Sequence, residues 1–263
     1  MARMYPLFSS SKGNCIYFGD SEGGIMIDCG VSCKRVCGAL AENGLSPDRI
    51  GGIFVTHTHS DHIKGLTVFL KKHRIPVYAQ RRNIEIMQEK GCLPEGTECI
   101  PIDGESREVA GFCVKMFETR HDTPASCGYR ITYPDGKSAA LCTDLGCVTD
   151  TVWQSICGCD LVMIESNYDP DMLRRGSYPP ELKARIASDF GHLSNAECGE
   201  TLASLCDSGT MNFVLGHISE ENNTPETVER SAVEALFPRV ARRDYMLYIA
   251  KPESGGVPAA VIF

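Results

Sequence analysis

The chain has 263 residues, 26 Lys and Arg against 34 Asp and Glu for a formal charge of −8, and 43% hydrophobic residues, so it can bury a full core without disulfide or metal staples and its 14 cysteines are not needed for that purpose. Residues 1–18 lack the basic segment, apolar run and small-residue cleavage site of an export signal, and no apolar stretch approaches the roughly 20 residues that span a bilayer. These features exclude a membrane protein and lead us to expect a reduced, cytoplasmic chain; the acidic balance argues against non-specific nucleic-acid coating yet leaves room for a local basic face.

Cys15–Phe18 and Gly24–Asp28 flank the turn Asp20-Ser-Glu-Gly23 and read as a hairpin. A helix follows, with Ser32 as its cap, Val36 and Leu40 on the face shared by Cys33 and Cys37, and Gly44 at its C-terminal end. Ile50–Thr56 reads as a buried strand. A polar cluster begins at His57 and runs into a helix expected to continue through Ile63, Leu66, Phe69 and Leu70. Further strands are predicted at 76–79, 112–118, 128–133 and 138–141, the last two joined by Pro134-Asp-Gly136. Apolar strands at 161–164 and 212–215 are separated by helices at 180–190 and 195–206. The second of these helices starts on a Ser194/Glu197 capping-box spacing. Pro225 opens a helix to about Phe237, before a strand at 245–250. Sheet-plus-helix in each half fits two sheets covered by outer helices, in a single domain over residues 1–263.

The strongest chemical signal is His57-Thr-His59-Ser-Asp61-His62, placed directly after a buried strand. Residues two apart in an extended segment point the same way, so His57 and His59 can reach one ion together. Asp61 and His62 fall where the chain turns into a helix and can address a second ion nearby. Imidazole and carboxylate are standard ligands for borderline divalent ions; without a metal, such a cluster would be only a solvated loop.

This H-x-H-x-D-H pattern after a strand resembles the signature of the metallo-β-lactamase-fold hydrolases, and the resemblance runs along nearly the whole chain. It implies an αββα four-layer sandwich in the α/β class and further ligands at later strand ends. The matching positions are His121 in Thr119-Arg-His-Asp-Thr123, Asp144 in Cys142-Thr-Asp-Leu-Gly146 and His217 in Leu215-Gly-His-Ile-Ser219. Carried over, the family pattern puts His57, His59 and His121 on one metal, Asp61, His62 and His217 on the other, and Asp144 between them. Ser9–Cys15, Ile164–Asp169, Gly191–Asn195 and His217–Asn223 are similar to the WalJ/YycJ-like branch of the fold, which implies a 5′-to-3′ exonuclease acting on DNA. Two divalent cations, zinc or manganese with iron also possible for this donor set, would activate a bridging water and neutralise phosphodiester charge. On the same analogy Asp61 also orients the nucleophile.

Outside the ligand set, His192 precedes a capped helix whose free N–H groups form an anion site. There it would hold a phosphate or protonate the leaving oxygen, with Ser194 and Asn195 beside it; simple packing of His192 and capping by Ser194 is the equal alternative. Ser11, Lys12, Gly13 and Asn14 read as a polar loop beside the metals or as a strand-entry turn. Asn167 and Glu165 read as partners of histidine ligands or as ordinary hydrogen-bonding groups. Among the basic pairs, Arg174-Arg175, flanked by Tyr168 and Tyr178, is the preferred nucleic-acid contact. The cysteines add no second site: Cys29, Cys33 and Cys37 recur every four residues as small buried apolar groups, no C-x-x-C occurs, and only His73 among the seven histidines has no role.

Within the fold an exported lactamase would need a signal peptide, and its commonest zinc form has Cys at the place of Asp144. An RNA-processing enzyme with a cap domain would need more than the 217 − 144 = 73 positions between Asp144 and His217. The rivals that share the ligand types are a thioesterase of the glyoxalase II type and a non-catalytic metal-binding protein; a di-iron redox protein is disfavoured by His59. The expected partner is DNA, with no membrane and no obligate protein partner.

Overall fold

The computed structural model describes residues 1–250 and 260–263. The first half of the chain lays down β1 (Arg3–Ser10), β2 (Gly13–Gly19), β3 (Gly24–Ile27), α1 (Cys33–Glu42), β4 (Ile50–Phe54), α2 (Ser60–Ile63), α3 (Leu66–Lys72), β5 (Val77–Ala79), α4 (Arg81–Glu89) and β6 (Cys99–Pro101). The second half supplies β7 (Ser106–Val109), β8 (Phe112–Glu118), β9 (Cys127–Thr132), β10 (Ser138–Cys142), α5 (Asp150–Ile156), β11 (Leu161–Glu165), α6 (Pro170–Arg175), α7 (Pro180–Ile186), α8 (Asn195–Asp207), β12 (Asn212–Gly216), α9 (Pro225–Leu236) and β13 (Met246–Ile249). A last strand, β14 (Val261–Ile262), returns to pair with β1. The strands form two mixed seven-stranded sheets, in the orders β14-β1-β2-β3-β4-β5-β6 and β13-β12-β11-β10-β9-β8-β7.

The side-chain period of two explains the layering. In β3, Ile25 and Ile27 enter the core between the sheets while Met26 faces α1 and α3; in β11, Leu161 and Met163 face inward while Val162 and Ile164 meet α8 and α9. Central strands are therefore buried on both faces and appear as unbroken apolar runs. The layer order is helices, sheet, sheet, helices, the expected αββα sandwich. Among the described residues no helix is long and apolar enough to cross a membrane.

Several local expectations hold in detail. Ser194 and Glu197 make both bonds of the capping box, and Thr224 caps α9 by accepting from Thr227 N. Beyond α1, Gly44 N donates to Ala41 O and Leu45 N to Leu40 O, a Schellman closure. Other expectations need correction. Ser32 occupies the cap position of α1 without a side-chain bond. The helix predicted over 180–190 ends at Ile186, because the chain folds back and His192 N binds Ile186 O. The helix expected from Asp61 through Leu70 is two helices, because Gly65 N donates to Cys29 O and a Cβ at Gly65 would lie 1.8 Å from Val31 O. Strand β1 lies outside the elements expected from sequence; its Pro6 sits where the β1–β2 register shifts, a position that tolerates proline. Helices α4, α5 and α6, of six to nine residues, are also additions to the prediction.

Candidate metal centre

The parallel strands β3 and β4 in one sheet, and β10, β11 and β12 in the other, send their C-terminal ends toward one edge of the sandwich, where ligand sites of α/β sheets lie. Asp28 follows β3, His57 follows β4, Asp144 follows β10, Glu165 ends β11 and His217 follows β12. Three of the five non-glycine residues with positive φ among the described residues are Asp28, Asp144 and His217. Left-handed backbone costs about 1–3 kcal/mol at such residues and collects where the surrounding structure imposes it, commonly at functional sites.

The side chains named by the motif and by the resemblance lie close together here. Ligand atoms of His57, His59 and His121 lie within 4.8 Å of one another, as do those of Asp61, His62 and His217. Asp144 stands between the two groups, with Oδ1 3.6 Å from His121 Nε2 and 3.5 Å from His217 Nε2, and Oδ2 3.2 Å from His62 Nε2. His57 Nε2 and His59 Nδ1 face each other at 3.0 Å. The short α2 fixes Asp61 and His62 because the loop before α1 runs against it: Cys29 N donates to His62 O, and a Cβ on Gly30 would lie 1.5 Å from Asp61 O.

The outer partners decide which imidazole nitrogen stays free. Glu165 accepts from His217 Nδ1 at 2.8 Å, and Asp28 accepts from His62 Nδ1 at 2.7 Å. Thr56 Oγ1 donates to Asp28 and lies 3.0 Å from His57 Nδ1, while Gly191 O accepts from His121 Nδ1 at 3.0 Å. A carboxylate or carbonyl only accepts, so His62, His121 and His217 each hold a proton on Nδ1 and turn Nε2 inward, the nitrogen that would give its lone pair to a cation. Asn14 Nδ2 reaches Asp61 Oδ2 at 3.2 Å, and Ser9 Oγ accepts from His217 N at 2.9 Å, so the 9–14 segment is both a hairpin turn and a wall of the site.

Electrostatics couple the histidines to the buried carboxylates. Burial opposes charge on His62 and His217, yet the carboxylates of Asp144, Asp28 and Asp61 hold His62 well above its ordinary value, and Asp144, Asp61 and Glu165 raise His217 to about 10. His57 and His59 are driven down by burial and by neighbouring imidazoles. Burial would raise the Asp144 carboxyl, but His217, His62 and His57 pull it well below the usual range. His217 Nε2 is buried without a hydrogen-bond partner. Imidazoles whose Nε2 atoms face buried carboxylates fit a divalent cation, which would displace the Nε2 protons of His62 and His217 and balance those carboxylates in their place.

Beside the centre lies a cleft of about 190 Å³ lined in part by Asp122, Asn167, Tyr178, Arg185, His192 and Ser219. His192 Nδ1 is 3.0 Å from Glu165 Oε2, and its ring centroid is 5.1 Å from that of His121. Asn167 donates to His217 O at 2.7 Å. The Asn195 amide is engaged by Ser166 and Asn223, and Ser194 by the capping box, which anchors the loop carrying His192. Arg174 and Arg175 lie exposed on α6, each facing Asp171. Sequence reasoning missed Asp28, Thr56, Asp122 and Arg185. Asp28 had a signal, an acidic residue at the end of an apolar strand; Arg185, paired with Asp122, had none.

A family model described as "Beta-lactamase superfamily domain" matches residues 24–218. The chain belongs to this superfamily. Within it the chain is 34% identical over 233 residues to the exodeoxyribonuclease WalJ of Streptococcus pneumoniae, covering 88% of this chain and 86% of that protein. It is 34% identical over 231 residues to the exodeoxyribonuclease YycJ of Bacillus anthracis, covering 88% and 87%. Similar solved folds include YhfI of Bacillus subtilis, with a TM-score of 0.74 at 16% identity over 96% of this chain and 98% of that one. Zn(2+)-bound PqqB of Methylobacterium extorquens has a TM-score of 0.74 at 18% identity over 99% and 100%. Membership in the WalJ/YycJ group makes the chain a metal-dependent hydrolase of this superfamily, and its His/Asp groups suggest divalent-metal binding.

Proposed function

We propose that this superfamily member is a dinuclear-metal phosphodiesterase that degrades DNA from the 5′ end. The observation that carries the reading is the pair of histidine groups meeting at Asp144, in a chain 34% identical over most of its length to proteins named exodeoxyribonucleases. His57, His59 and His121 would hold one cation and Asp61, His62 and His217 the other, with Asp144 shared; zinc and manganese both suit these donors. When bound, such ions lower the pKa of water toward ~7 and neutralise charge on a phosphodiester.

The remaining steps belong to side chains. Asp61, held by Asn14, orients the attacking water. His192 is anchored through Nδ1 by Glu165, which leaves Nε2 to deliver a proton to the leaving oxygen. Arg185 at the cleft wall supplies positive charge for a phosphate.

The test is a panel of 5′-phosphorylated DNA, RNA and a glutathione thioester with zinc- or manganese-loaded protein. Shortening of the DNA from its 5′ end, abolished by Asp61→Ala and by His62→Ala in variants that still melt cooperatively, is the expected result. Thioester hydrolysis without nucleic-acid cleavage would overturn the proposal, and so would less than one metal per chain after reconstitution.

A further inference from the structure

A second group of metal-type side chains lies away from the sheet edge that carries the histidine centre. Cys33 and Cys37 stand four apart on α1 and so share a helix face, with their Sγ atoms 3.9 Å apart. His73, at the C-terminal cap of α3, brings Nε2 to 3.7 Å from Cys37 Sγ. All three ligand atoms lie within 4.8 Å of one another. With zinc–sulfur bonds of about 2.3 Å and zinc–nitrogen bonds of about 2.05 Å, a tetrahedral ion separates its ligand atoms by about 3.8 Å (S to S) and about 3.6 Å (S to N). The Cys33–Cys37 and Cys37–His73 edges match those separations, and the third edge lies within 4.8 Å.

The surroundings suit a site rather than a packing accident. Cys33 is buried in the core cluster under the first sheet, whereas Cys37 and His73 are half-buried, so solvent can enter and occupy a fourth position. The His73 ring is fixed against Phe69, one turn earlier on α3, at 4.8 Å between centroids. Lys72 lies near Cys37 and favours its thiolate, although burial, the Cys33 hydrogen bond and the Cys33 charge together leave the thiol above its ordinary value. Binding therefore has to expel protons, as it does at thiolate sites generally. Two thiolates would leave a bound dication neutral, and a thiolate–imidazole set favours thiophilic ions over manganese or magnesium.

We propose that Cys33, Cys37 and His73 form a separate zinc site that clips the start of α1 to the end of α3. Its position gives it a consequence. The loop entering α1 carries Asp28, and α3 continues from α2, which carries Asp61 and His62. The clip braces the two segments that position those residues without contributing a donor to the histidine centre. It stands whether or not the proposed nuclease activity does.

Cobalt substitution of the full chain tests it, because the His/Asp centre contains no thiolate and gives no thiolate-to-metal charge-transfer absorption. The parent protein should show that absorption. Cys37→Ser and His73→Ala, both at half-exposed positions, should each lose it together with one zinc equivalent per chain, while the metal content of the His/Asp centre is unchanged. In a second measurement zinc should slow iodoacetamide labelling of Cys37 on the order of tenfold in the parent and not in His73→Ala, since a metal-bound thiolate is not free to attack. Equal zinc content and equal cobalt spectra in the parent and both variants, or labelling of Cys37 that ignores zinc, would overturn the proposal.

Discussion

Replacing Glu165 by Gln tests the argument that outer-shell geometry sets the histidine centre, because the substitution keeps size and removes only charge and one acceptor. Oε1 accepts the N–H groups of Leu145 and Leu193, each at 2.9 Å, while Oε2 accepts Asp144 N–H at 3.3 Å and serves the Nδ1 atoms of His217 at 2.8 Å and His192 at 3.0 Å. A glutamine that keeps its carbonyl on the Leu145 and Leu193 N–H groups turns an NH₂ toward both imidazoles and toward Asp144 N–H. The rings respond by moving their proton to Nε2, which in His217 is the atom facing Asp144 and Asp61. A protonated Nε2 has no lone pair for a cation, so affinity should fall about 10–100-fold, equivalent to about 1.4–2.7 kcal/mol. Two charge-assisted bonds become neutral ones at a loss of about 1 kcal/mol each, and the metal-free protein should melt roughly 4–8 °C lower. Competition against a chromophoric chelator measures the first effect and calorimetry in chelator the second. Metal affinity within twofold of the parent would refute the claim that Glu165 fixes the His217 tautomer.

Arg185→Ala should raise KM for DNA, leave kcat nearly unchanged and reduce the slope of log affinity against log salt by about 1, read by titrations at several salt concentrations. Removing the metals with chelator should lower the melting temperature by roughly 10 °C for each ion present at about a thousand times its dissociation constant, and re-adding zinc or manganese should restore it. The buried thiols of Cys159 and Cys198, raised by burial to about 11 and about 12, should resist alkylation at pH 8, because a pKa near 12 leaves only about 10⁻⁴ of the thiol ionised. Peptide mapping should find them modified only as pH rises toward those values or after unfolding.

The primary sequence already determined what depends on near neighbours. The alternation in His57-Thr-His59, the capping box at Ser194 and the double-sided apolar runs of β3 and β11 are each encoded within a few residues, so their reading needed no tertiary information. The resemblance carried by the later motifs extended this to His121, Asp144 and His217, and the structure brings all seven candidate ligands together. The helix break at Gly65 was hidden, because its cause is a carbonyl oxygen from the loop before α1.

Only the tertiary structure decided which groups serve those ligands. Asp28 meets His62 across 34 positions of chain, and Glu165 joins β11 to His217 across 52. No local period records such pairs. The cysteines show the same limit. From spacing alone Cys33 and Cys37 were small apolar residues on a helix and His73 had no part; folding places α3 beside α1 and sets an imidazole 3.7 Å from a thiol 36 residues away. Local sequence fixes periodicity and caps because those forces act within a turn or two, whereas a polyvalent site is an arrangement of distant strand and helix ends that exists only once the layers have packed.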